Sequence, residues 1–240
     1  MLEHRGLLPA PPFRLAPTSR SWGEASSPPR TPEGRRKESW RKSVLAAELL
    51  KHGCLLFGEF RLSSGLLSPY YIDLRKVPSF PQLLERVLDA YLRKIEEDEL
   101  EFDRIATIAT AGIPIASVLA YRLRKPFLYV RREEKAHGTG SRVEGVVAGK
   151  ILVVDDVATT GSNLLFAASA VRERGAEVKD ALVLVDREQG AAEALRREGV
   201  RLHACFKITE LVRELNAEGL LEEEKLKAVL KYIGNSRGPK

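Results

Sequence analysis

The 240-residue chain is 44% hydrophobic and carries a net charge of +6, which suits a soluble globular protein. Part of the excess charge lies in the first forty residues, so it gives no indication of a nucleic-acid partner, and no apolar run approaches the length of a membrane span. The two cysteines, Cys54 and Cys205, form neither a disulfide framework nor a metal motif, and they favour a reducing, cytoplasmic location.

The first 38 residues differ in composition from the rest of the chain. They contain seven of the 13 prolines, interspersed with Ser, Gly and Arg. Such a segment cannot bury enough apolar surface to offset its loss of conformational entropy, so we interpret residues 1–38 as a disordered Pro-rich extension. A start codon placed too far upstream would explain the same pattern. The folded domain is expected over residues 39–233, followed by a disordered tail at 234–240.

A helix, a hairpin and a second helix are predicted at the beginning of the domain. An apolar stripe starting at Ser39 predicts a helix that ends at Gly53. Alternating residues predict a strand over 55–65, and a further extended stretch follows at 68–75. Residues 80–97 have the periodicity of a long amphipathic helix.

Short apolar runs then alternate with helical patterns. Strands are predicted at 102–109, 127–130, 151–154, 181–185 and 201–206. Helices are predicted at 115–123, 164–174, 191–198, 208–215 and 222–233. This pattern predicts an α/β fold, with a mostly parallel twisted sheet flanked by helices. In such sheets, ligands bind at the carboxyl ends of the strands.

The stretch from Ile151 to Asn163 carries the strongest functional signal. Four apolar residues precede the adjacent carboxylates Asp155 and Asp156, and a hydroxyl-rich turn then leads into a helix. Unpaired N–H groups at a helix start can hold a phosphate, and carboxylates can bind sugar hydroxyls or a divalent cation. A ribose 5-phosphate would therefore fit. The alternative is an ordinary strand-to-helix connection with Ser162 as the N-cap.

Three further polar stretches follow predicted strands. The small-residue turn at 110–114 opens a helix and is a second candidate anion site. The basic, Gly-rich stretch at 131–145 is predicted to be a mobile lid over a polyphosphate, rather than an ordinary solvated loop. Arg187 is placed to form a bidentate pair with a planar carboxylate. The alternative for Arg187 is an exposed ion pair with Asp186 or Glu188.

Four motifs resemble those of the orotate phosphoribosyltransferase family, a branch of the type I phosphoribosyltransferases. Residues 153–161 are similar to the phosphoribosyl-diphosphate signature of the superfamily, and residues 60–73 resemble the amino-terminal signature of the family. Residues 131–138 resemble the catalytic lid, and residues 186–190 the orotate-binding turn. The resemblance covers about residues 40–215 and implies the type I phosphoribosyltransferase fold with a small N-terminal hood.

The resemblance implies a Mg²⁺-dependent transfer of ribose 5-phosphate from phosphoribosyl diphosphate to orotate, giving orotidine 5′-phosphate and diphosphate in UMP biosynthesis. Catalytic roles are implied for Lys135, Arg132, His137, Asp155 and Asp156. Binding of phosphoribosyl diphosphate is implied for those five residues and for Arg131, Thr110, Ala111, Gly112, Val157, Ala158, Thr159, Thr160, Gly161, Ser162 and Asn163. Orotate contacts are implied for Thr159, Arg187, Tyr70 and Tyr71. Mg²⁺ would be held through the diphosphate substrate, with Asp155 and Asp156 as candidate ligands.

The family also implies a homodimer in which the lid of one subunit completes the site of its partner, with no nucleic-acid or membrane partner. Two lysines of the enterobacterial form are replaced, one by Ser63 and one within the Thr110-Ala111 pair, which bears on diphosphate affinity more than on the reaction. A fused orotidylate decarboxylase domain is not expected. The alternatives are a transcriptional regulator that binds phosphoribosyl diphosphate without turnover, and a phosphoribosyltransferase for another base.

Overall fold

A computed structural model describes residues 42–61, 65–133 and 141–236. The predicted extension at 1–38 lies outside these ranges, as do residues 237–240. The strands are β1 (Leu55–Arg61), β2 (Leu67–Ile72), β3 (Arg104–Ile108), β4 (Phe127–Val130), β5 (Val143–Glu144), β6 (Ile151–Ala158), β7 (Asp180–Asp186) and β8 (Arg201–Lys207). The helices are α1 (Lys42–Lys51), α2 (Pro81–Glu97), α3 (Ile113–Leu123), α4 (Ser162–Arg172), α5 (Ala191–Arg197), α6 (Ile208–Ala217) and α7 (Glu223–Ser236), with a 3₁₀ helix at Leu74–Ser79.

Six strands form one sheet in the order β5-β4-β3-β6-β7-β8. The pairs β3–β4, β3–β6, β6–β7 and β7–β8 are parallel, and the short strand β5 is antiparallel to β4. This order confirms the predicted α/β fold. Because β3, β6 and β7 are successive neighbours, the turns that follow them lie along one edge of the sheet.

The central strands are buried on both faces. Leu152 and Val154 of β6 pack into a core shared with α1, α2, α3, α6 and α7, whereas Ile151 and Val153 pack into a core shared with α4 and α5. Each such side chain contributes roughly 2 kcal/mol of burial energy. Burial on both sides explains why the strand is a continuous apolar run instead of an alternating pattern.

The hairpin of β1 and β2 forms a separate antiparallel sheet, which agrees with the predicted hood. Helix α1 packs on α6, and β2 packs on α7, so the carboxyl-terminal helices support the amino-terminal unit. Within the described residues, no helix combines the length and the hydropathy needed to cross a bilayer.

Several boundaries differ from the predictions. Strand β6 continues to Ala158, because it pairs with β7 as far as the Ala158–Asp186 register. The acidic pair therefore lies inside the strand and not after it. The predicted extended stretch at 68–75 ends in the 3₁₀ helix, β5 lies inside the predicted lid, and α7 runs three residues past the predicted domain end at 233. Hydrophobic periodicity did not show these extensions, since polar residues occupy them.

Candidate active site

The carboxyl ends of β3, β6 and β7 meet, as the sequence predicted. The backbone N–H of Arg187, just after β7, donates to the carbonyl oxygen of Ala158 at the end of β6, at 2.9 Å. Gly112, in the turn after β3, lies against Asp155: a Cβ added to this glycine would be 2.8 Å from Asp155 Oδ1. These contacts bring three of the predicted polar stretches to one edge of the sheet.

The acidic pair is positioned by β6 itself. Asp155 is 3% exposed, and its Oδ1 accepts the backbone N–H of Asp156 at 3.0 Å. Asp156 is partly exposed, and its Oδ1 accepts the N–H of Val157 at 2.8 Å. Burial raises the pKa of both carboxyl groups, well above the usual range for Asp155, where the charge of Asp156 adds to the rise. A cation or a set of hydroxyl donors would stabilise the ionised pair.

The turn at 159–163 leaves the start of α4 open to an anion. Gly161, which has no side chain to cap the helix, occupies the N-cap position. Capping by Ser162 is therefore wrong as an alternative: Ser162 is the first helical residue, and its Oγ accepts a hydrogen bond from Thr160 Oγ1 at 3.3 Å. Residues 157–164 line a small cavity beside these hydroxyls. Open N–H groups and hydroxyls in one concave turn are suited to a phosphate.

A glycine is required at position 161 for two reasons, the backbone conformation and the close packing around it. Its φ is +83°, and an added Cβ would lie 2.9 Å from Leu195 Cδ1 and 3.2 Å from the carbonyl oxygen of Ala191. We expect Gly161→Ala to lower the free energy of unfolding by about 2–3 kcal/mol and to weaken phosphate binding.

The matched control is Gly175→Ala, because Gly175 has a φ of +85° but nothing within 4 Å of its Cβ position. Gly175→Ala should lower the free energy of unfolding by about 1 kcal/mol, because only the backbone conformation is disfavoured. Denaturant unfolding measures both variants. Equal losses in the two would contradict the packing contribution at Gly161.

The turn at 110–112 leads into α3, where the N–H of Ile113 already donates to the carbonyl oxygen of Thr110 at 3.2 Å and Pro114 has no N–H. An anion at this end of the sheet would therefore meet the backbone of the turn more than the start of the helix. The N–H of Ala109 donates to the carbonyl oxygen of Val130 at 2.7 Å, which fixes the turn at the end of β3. Gly112 occupies the N-cap position of α3 and offers no capping side chain. Because Gly112 lies against Asp155, an anion bound at this turn would be close to the acidic pair. The assignment of this turn as a second anion site stays a prediction.

Arg187 is buried at the exit of β7. Its side chain is 8% exposed, its Nε donates to the hydroxyl of Tyr70 at 3.2 Å, and its Cζ lies 4.8 Å from the centre of the Tyr70 ring. Its Nη2 is buried and has no hydrogen-bond partner among the described residues. The alternative of an exposed ion pair does not apply, because Arg187, Asp186 and Glu188 are all buried.

The two tyrosines of β2 lie on opposite faces of the strand, as the side-chain alternation of a strand requires. Tyr70 contacts Arg187, whereas the Tyr71 ring stacks on Phe60 with 5.7 Å between ring centres. The hydroxyl of Tyr71 accepts a hydrogen bond from Arg75 Nη2 at 3.2 Å. The expectation that both tyrosines lie beside one pyrimidine therefore has structural support for Tyr70 only.

Sequence reasoning missed three residues near the site. Gln189 Nε2 donates to the hydroxyl of Tyr232 at 3.2 Å, and the Tyr232 ring meets the Tyr70 ring edge-on at 6.1 Å. The third residue is Arg75. Its charge lowers the pKa of Asp156, which burial raises. Gln189 stands in the motif at 186–190 and could have been found there. Tyr232 belongs to an amphipathic helix and gave no signal in the sequence.

The base of the predicted lid is a short hairpin. The N–H of Arg131 donates to the carbonyl oxygen of Arg142 at 2.8 Å, next to the β4–β5 pair. The sequence showed no strand period here because β5 has only two residues. The centre of the lid at 134–140, which includes Lys135 and His137, lies outside the described residues.

Arg132 joins the lid base to the phosphate turn. Its guanidinium donates to Asn163 Oδ1 of the same chain and lies 5.7 Å from the centre of the Phe166 ring. Arg132 is thus the one predicted lid cation, among the described residues, that reaches the turn after β6.

The acidic pair fits a shared metal site and not an independent one. Within the described ranges, no cluster of three or more His, Cys, Asp and Glu side chains could hold a metal ion. Asp155 and Asp156 do supply carboxylate oxygens, the ligands that Mg²⁺ prefers, and Mg²⁺ commonly completes its shell with water and substrate phosphates. The donor set therefore fits Mg²⁺ held jointly with a phosphate-bearing ligand.

Comparison with known proteins decides the family. Residues 80–199 match the model of the phosphoribosyl transferase domain. The chain is 48% identical over 192 residues to the orotate phosphoribosyltransferase of Pyrobaculum aerophilum, a match that covers 79% of this chain and 97% of that protein. It is 42% identical to the Sulfolobus acidocaldarius enzyme of the same name, over 79% of this chain and 96% of that one. The chain belongs to the orotate phosphoribosyltransferase family.

Solved structures agree with this assignment. The orotate phosphoribosyltransferase of Aeropyrum pernix is 42% identical, with a TM-score of 0.67 over 72% of this chain and 98% of that one. The Leishmania donovani UMP synthase is 30% identical, with a TM-score of 0.73 over 82% of this chain and 43% of that longer one. A Mycobacterium tuberculosis orotate phosphoribosyltransferase in complex with phosphoribosyl diphosphate is 28% identical, with a TM-score of 0.57 over 71% of this chain and 98% of that one. The predicted fold, enzyme class and role in pyrimidine biosynthesis are confirmed.

Proposed function

We propose that this enzyme transfers ribose 5-phosphate from phosphoribosyl diphosphate to orotate at the edge formed by the ends of β3, β6 and β7. The observation that carries the proposal is the buried, unpaired Nη2 of Arg187. A buried guanidinium donor without an acceptor costs about 1–3 kcal/mol or more. The carboxylate of a planar base would supply that acceptor while its ring packs near Tyr70. The products are orotidine 5′-phosphate and diphosphate, on the route to UMP.

Phosphoribosyl diphosphate would extend between the open start of α4 and the turn at 110–112. We assign its 5-phosphate to the turn at 159–163, its ribose hydroxyls to Asp155 and Asp156, and its diphosphate to the turn at 110–112. The close approach of Gly112 to Asp155 supports this arrangement, since a ribose bears its diphosphate next to its 2-hydroxyl. Thr159, at the start of the phosphate turn, would also lie at the orotate side of the ribose.

The chemistry requires charge stabilisation more than base catalysis. Orotate is already an anion, and the anomeric carbon gains oxocarbenium character as diphosphate departs. The paired carboxylates of Asp155 and Asp156 would stabilise that positive centre. Arg132, Lys135 and His137 would neutralise the departing diphosphate, and a closed lid would exclude water from the reacting carbon. When bound, Mg²⁺ supplies further charge neutralisation of the diphosphate, with Asp155 and Asp156 as its candidate ligands.

A homodimer with a shared lid is part of the proposal. Arg131 forms an ion pair with Glu144 of its own chain at 3.5 Å, and Arg132 contacts its own Asn163. We therefore assign the action on the partner's site to Lys135 and His137, further along the lid. The proposal places this enzyme in the cytoplasm, without a nucleic-acid or membrane partner.

Diphosphate release with different acceptor bases tests the proposal. The purified enzyme is incubated with phosphoribosyl diphosphate, Mg²⁺ and one of orotate, uracil, adenine or hypoxanthine. We expect release with orotate alone, because the other bases lack the carboxylate that Arg187 requires. Comparable release with uracil would contradict the role of Arg187. Binding of phosphoribosyl diphosphate without release for any base would favour a regulator.

A further inference from the structure

Thr107, near the end of β3, carries a buried hydroxyl that the proposed mechanism does not use. The residue is fully buried, and its Oγ1 has no hydrogen-bond partner within the part of the chain that the structure describes. An unpaired buried hydroxyl opposes folding, and valine would fill the same space without that penalty. A threonine at this position therefore suggests a role outside folding.

The polar groups around Thr107 belong to both halves of the proposed phosphoribosyl-diphosphate site. A Cβ on Gly112 would be 2.2 Å from Thr107 Oγ1 and 2.8 Å from Asp155 Oδ1. The hydroxyl, the carboxylate and the diphosphate turn thus converge on one point. Only a residue without a side chain permits that approach, because real Cβ contacts are not that short.

Asp155 has acceptor capacity for a further donor. Its Oδ1 already accepts the N–H of Asp156 at 3.0 Å, and an ionised carboxylate has about four acceptor positions. Thr107 Oγ1 is an unpaired donor that lies on the same side of Gly112 as that oxygen, since the two oxygens are 2.2 and 2.8 Å from one Cβ position. A hydroxyl bonded to a carboxylate is also the stronger, charge-assisted kind of hydrogen bond.

We infer that Thr107 is a positioning residue for phosphoribosyl diphosphate, whose hydroxyl donates to the carboxylate of Asp155 in the substrate complex and holds it against the Gly112 turn. The inference rests on the proposed function, since it assigns the ribose to Asp155. Thr107 would act through Asp155 and would not touch the substrate itself. The unpaired hydroxyl lowers the stability of the free enzyme, and the hydrogen bond that forms when the ribose arrives removes this cost in the complex.

Two substitutions at position 107 separate the hydroxyl from the shape of the side chain. Thr107→Val keeps the shape, and Thr107→Ser keeps the hydroxyl. For Thr107→Val we expect the KM for phosphoribosyl diphosphate to rise about tenfold, with the KM for orotate unchanged. The same variant should gain about 2–4 °C in Tm, since a buried unpaired polar group has been removed. Thr107→Ser should stay within about threefold of the parent KM.

The matched control is Thr209→Val on α6, where loss of a hydroxyl should change neither KM. The inference is overturned if Thr107→Val leaves the KM for phosphoribosyl diphosphate unchanged, or if Thr107→Ser is as impaired as Thr107→Val. If Thr107→Val lowered the Tm and raised both KM values equally, Thr107 would have a packing role, and the inference would also be overturned.

Asp155→Asn, measured in parallel, distinguishes a failure of the role of Thr107 from a failure of the proposed substrate site. If Asp155→Asn impairs the use of phosphoribosyl diphosphate and Thr107→Val does not, the role of Thr107 fails and the proposed site stands. If Asp155→Asn leaves the kinetics unchanged, the proposed site is wrong and the inference fails with it.

Discussion

Replacing Asp155 with Asn is expected to lower kcat/KM for phosphoribosyl diphosphate by about a thousandfold. The side chain keeps its size but loses the charge that faces the cation-like centre and the candidate Mg²⁺ position. Steady-state kinetics with varied phosphoribosyl diphosphate and saturating orotate measure the effect. A loss of less than tenfold would contradict the role assigned to this carboxylate.

The same variant should be more stable than the parent at neutral pH. Burial raises the pKa of Asp155 well above its value in the unfolded chain, so ionisation favours the unfolded state. That penalty is absent below the ordinary pKa of about 4 and grows as the pH rises above it. Denaturant unfolding of Asp155→Asn should therefore show a gain at pH 7 and almost none at pH 4.

Asp89 provides the matched control for Asp155. It is also buried, but its Oδ1 accepts a hydrogen bond at 2.9 Å from Nη2 of Arg122, which lies at the end of α3 opposite to the turn at 110–112. Asp89→Asn should lower stability, because it weakens a paired charge, and should leave the kinetics unchanged. Equal kinetic losses in both variants would indicate a general structural effect.

Asp155→Asn also tests the shared lid when it is mixed with Lys135→Ala. If the lid acts on the partner's site, dimers that combine the two variants contain one intact site. An equal mixture after subunit exchange should then recover about a quarter of the parent activity. No recovery, with exchange of subunits verified, would show that the lid serves its own chain.

Replacing Arg187 with Met is expected to raise the KM for orotate about a hundredfold. Methionine keeps an unbranched apolar stem at this buried position and removes the guanidinium that contacts Tyr70 and would bind the orotate carboxylate. The KM for phosphoribosyl diphosphate should change little, because Arg187 lies on the base side of the ribose. Initial rates with each substrate varied in turn measure both constants.

Arg197→Met, on the exposed face of α5, is the control for Arg187→Met. Its side chain is 68% exposed, and among the contacts described it pairs only with the surface residue Glu193, at 3.2 Å. We expect both KM values to stay unchanged. If Arg187→Met altered only the KM for phosphoribosyl diphosphate, the assignment of orotate to Arg187 would be wrong.

The sequence predicted most of the fold because its periodicity reflects burial on both sides of a parallel sheet. The run of apolar residues before Asp155, bounded by loop signals, favoured a buried strand, and the turn at 159–163 with its glycine favoured a connection from that strand to a helix. Since parallel strands end at one edge, the polar groups after β3, β6 and β7 were expected to meet. The structure confirms that they do.

Contacts between distant parts of the chain were not predictable in the same way. Tyr70 and Tyr71 are adjacent in the motif, yet strand alternation sends them to different neighbours, Arg187 and Arg75. Tyr232 joins the site only because α7 packs on β2. No local sequence pattern predicts which residue of a helix will lie beside a strand that is more than a hundred positions away in the chain.

By itself, the sequence determined the order of the candidate site segments along the chain: the turn at 110–112, the basic stretch at 131–145, the turn at 159–163 and the arginine after β7. Local rules suffice for this, because turns, helix starts and buried strands are set by neighbouring residues. Only the tertiary structure decided which polar groups are buried without a partner, and Thr107 Oγ1 and Arg187 Nη2 are among those atoms in the described chain. Burial and hydrogen-bond pairing depend on every element packed around an atom. The proposed orotate contact of Arg187 and the proposed hydrogen bond from Thr107 to Asp155 rest on these two atoms.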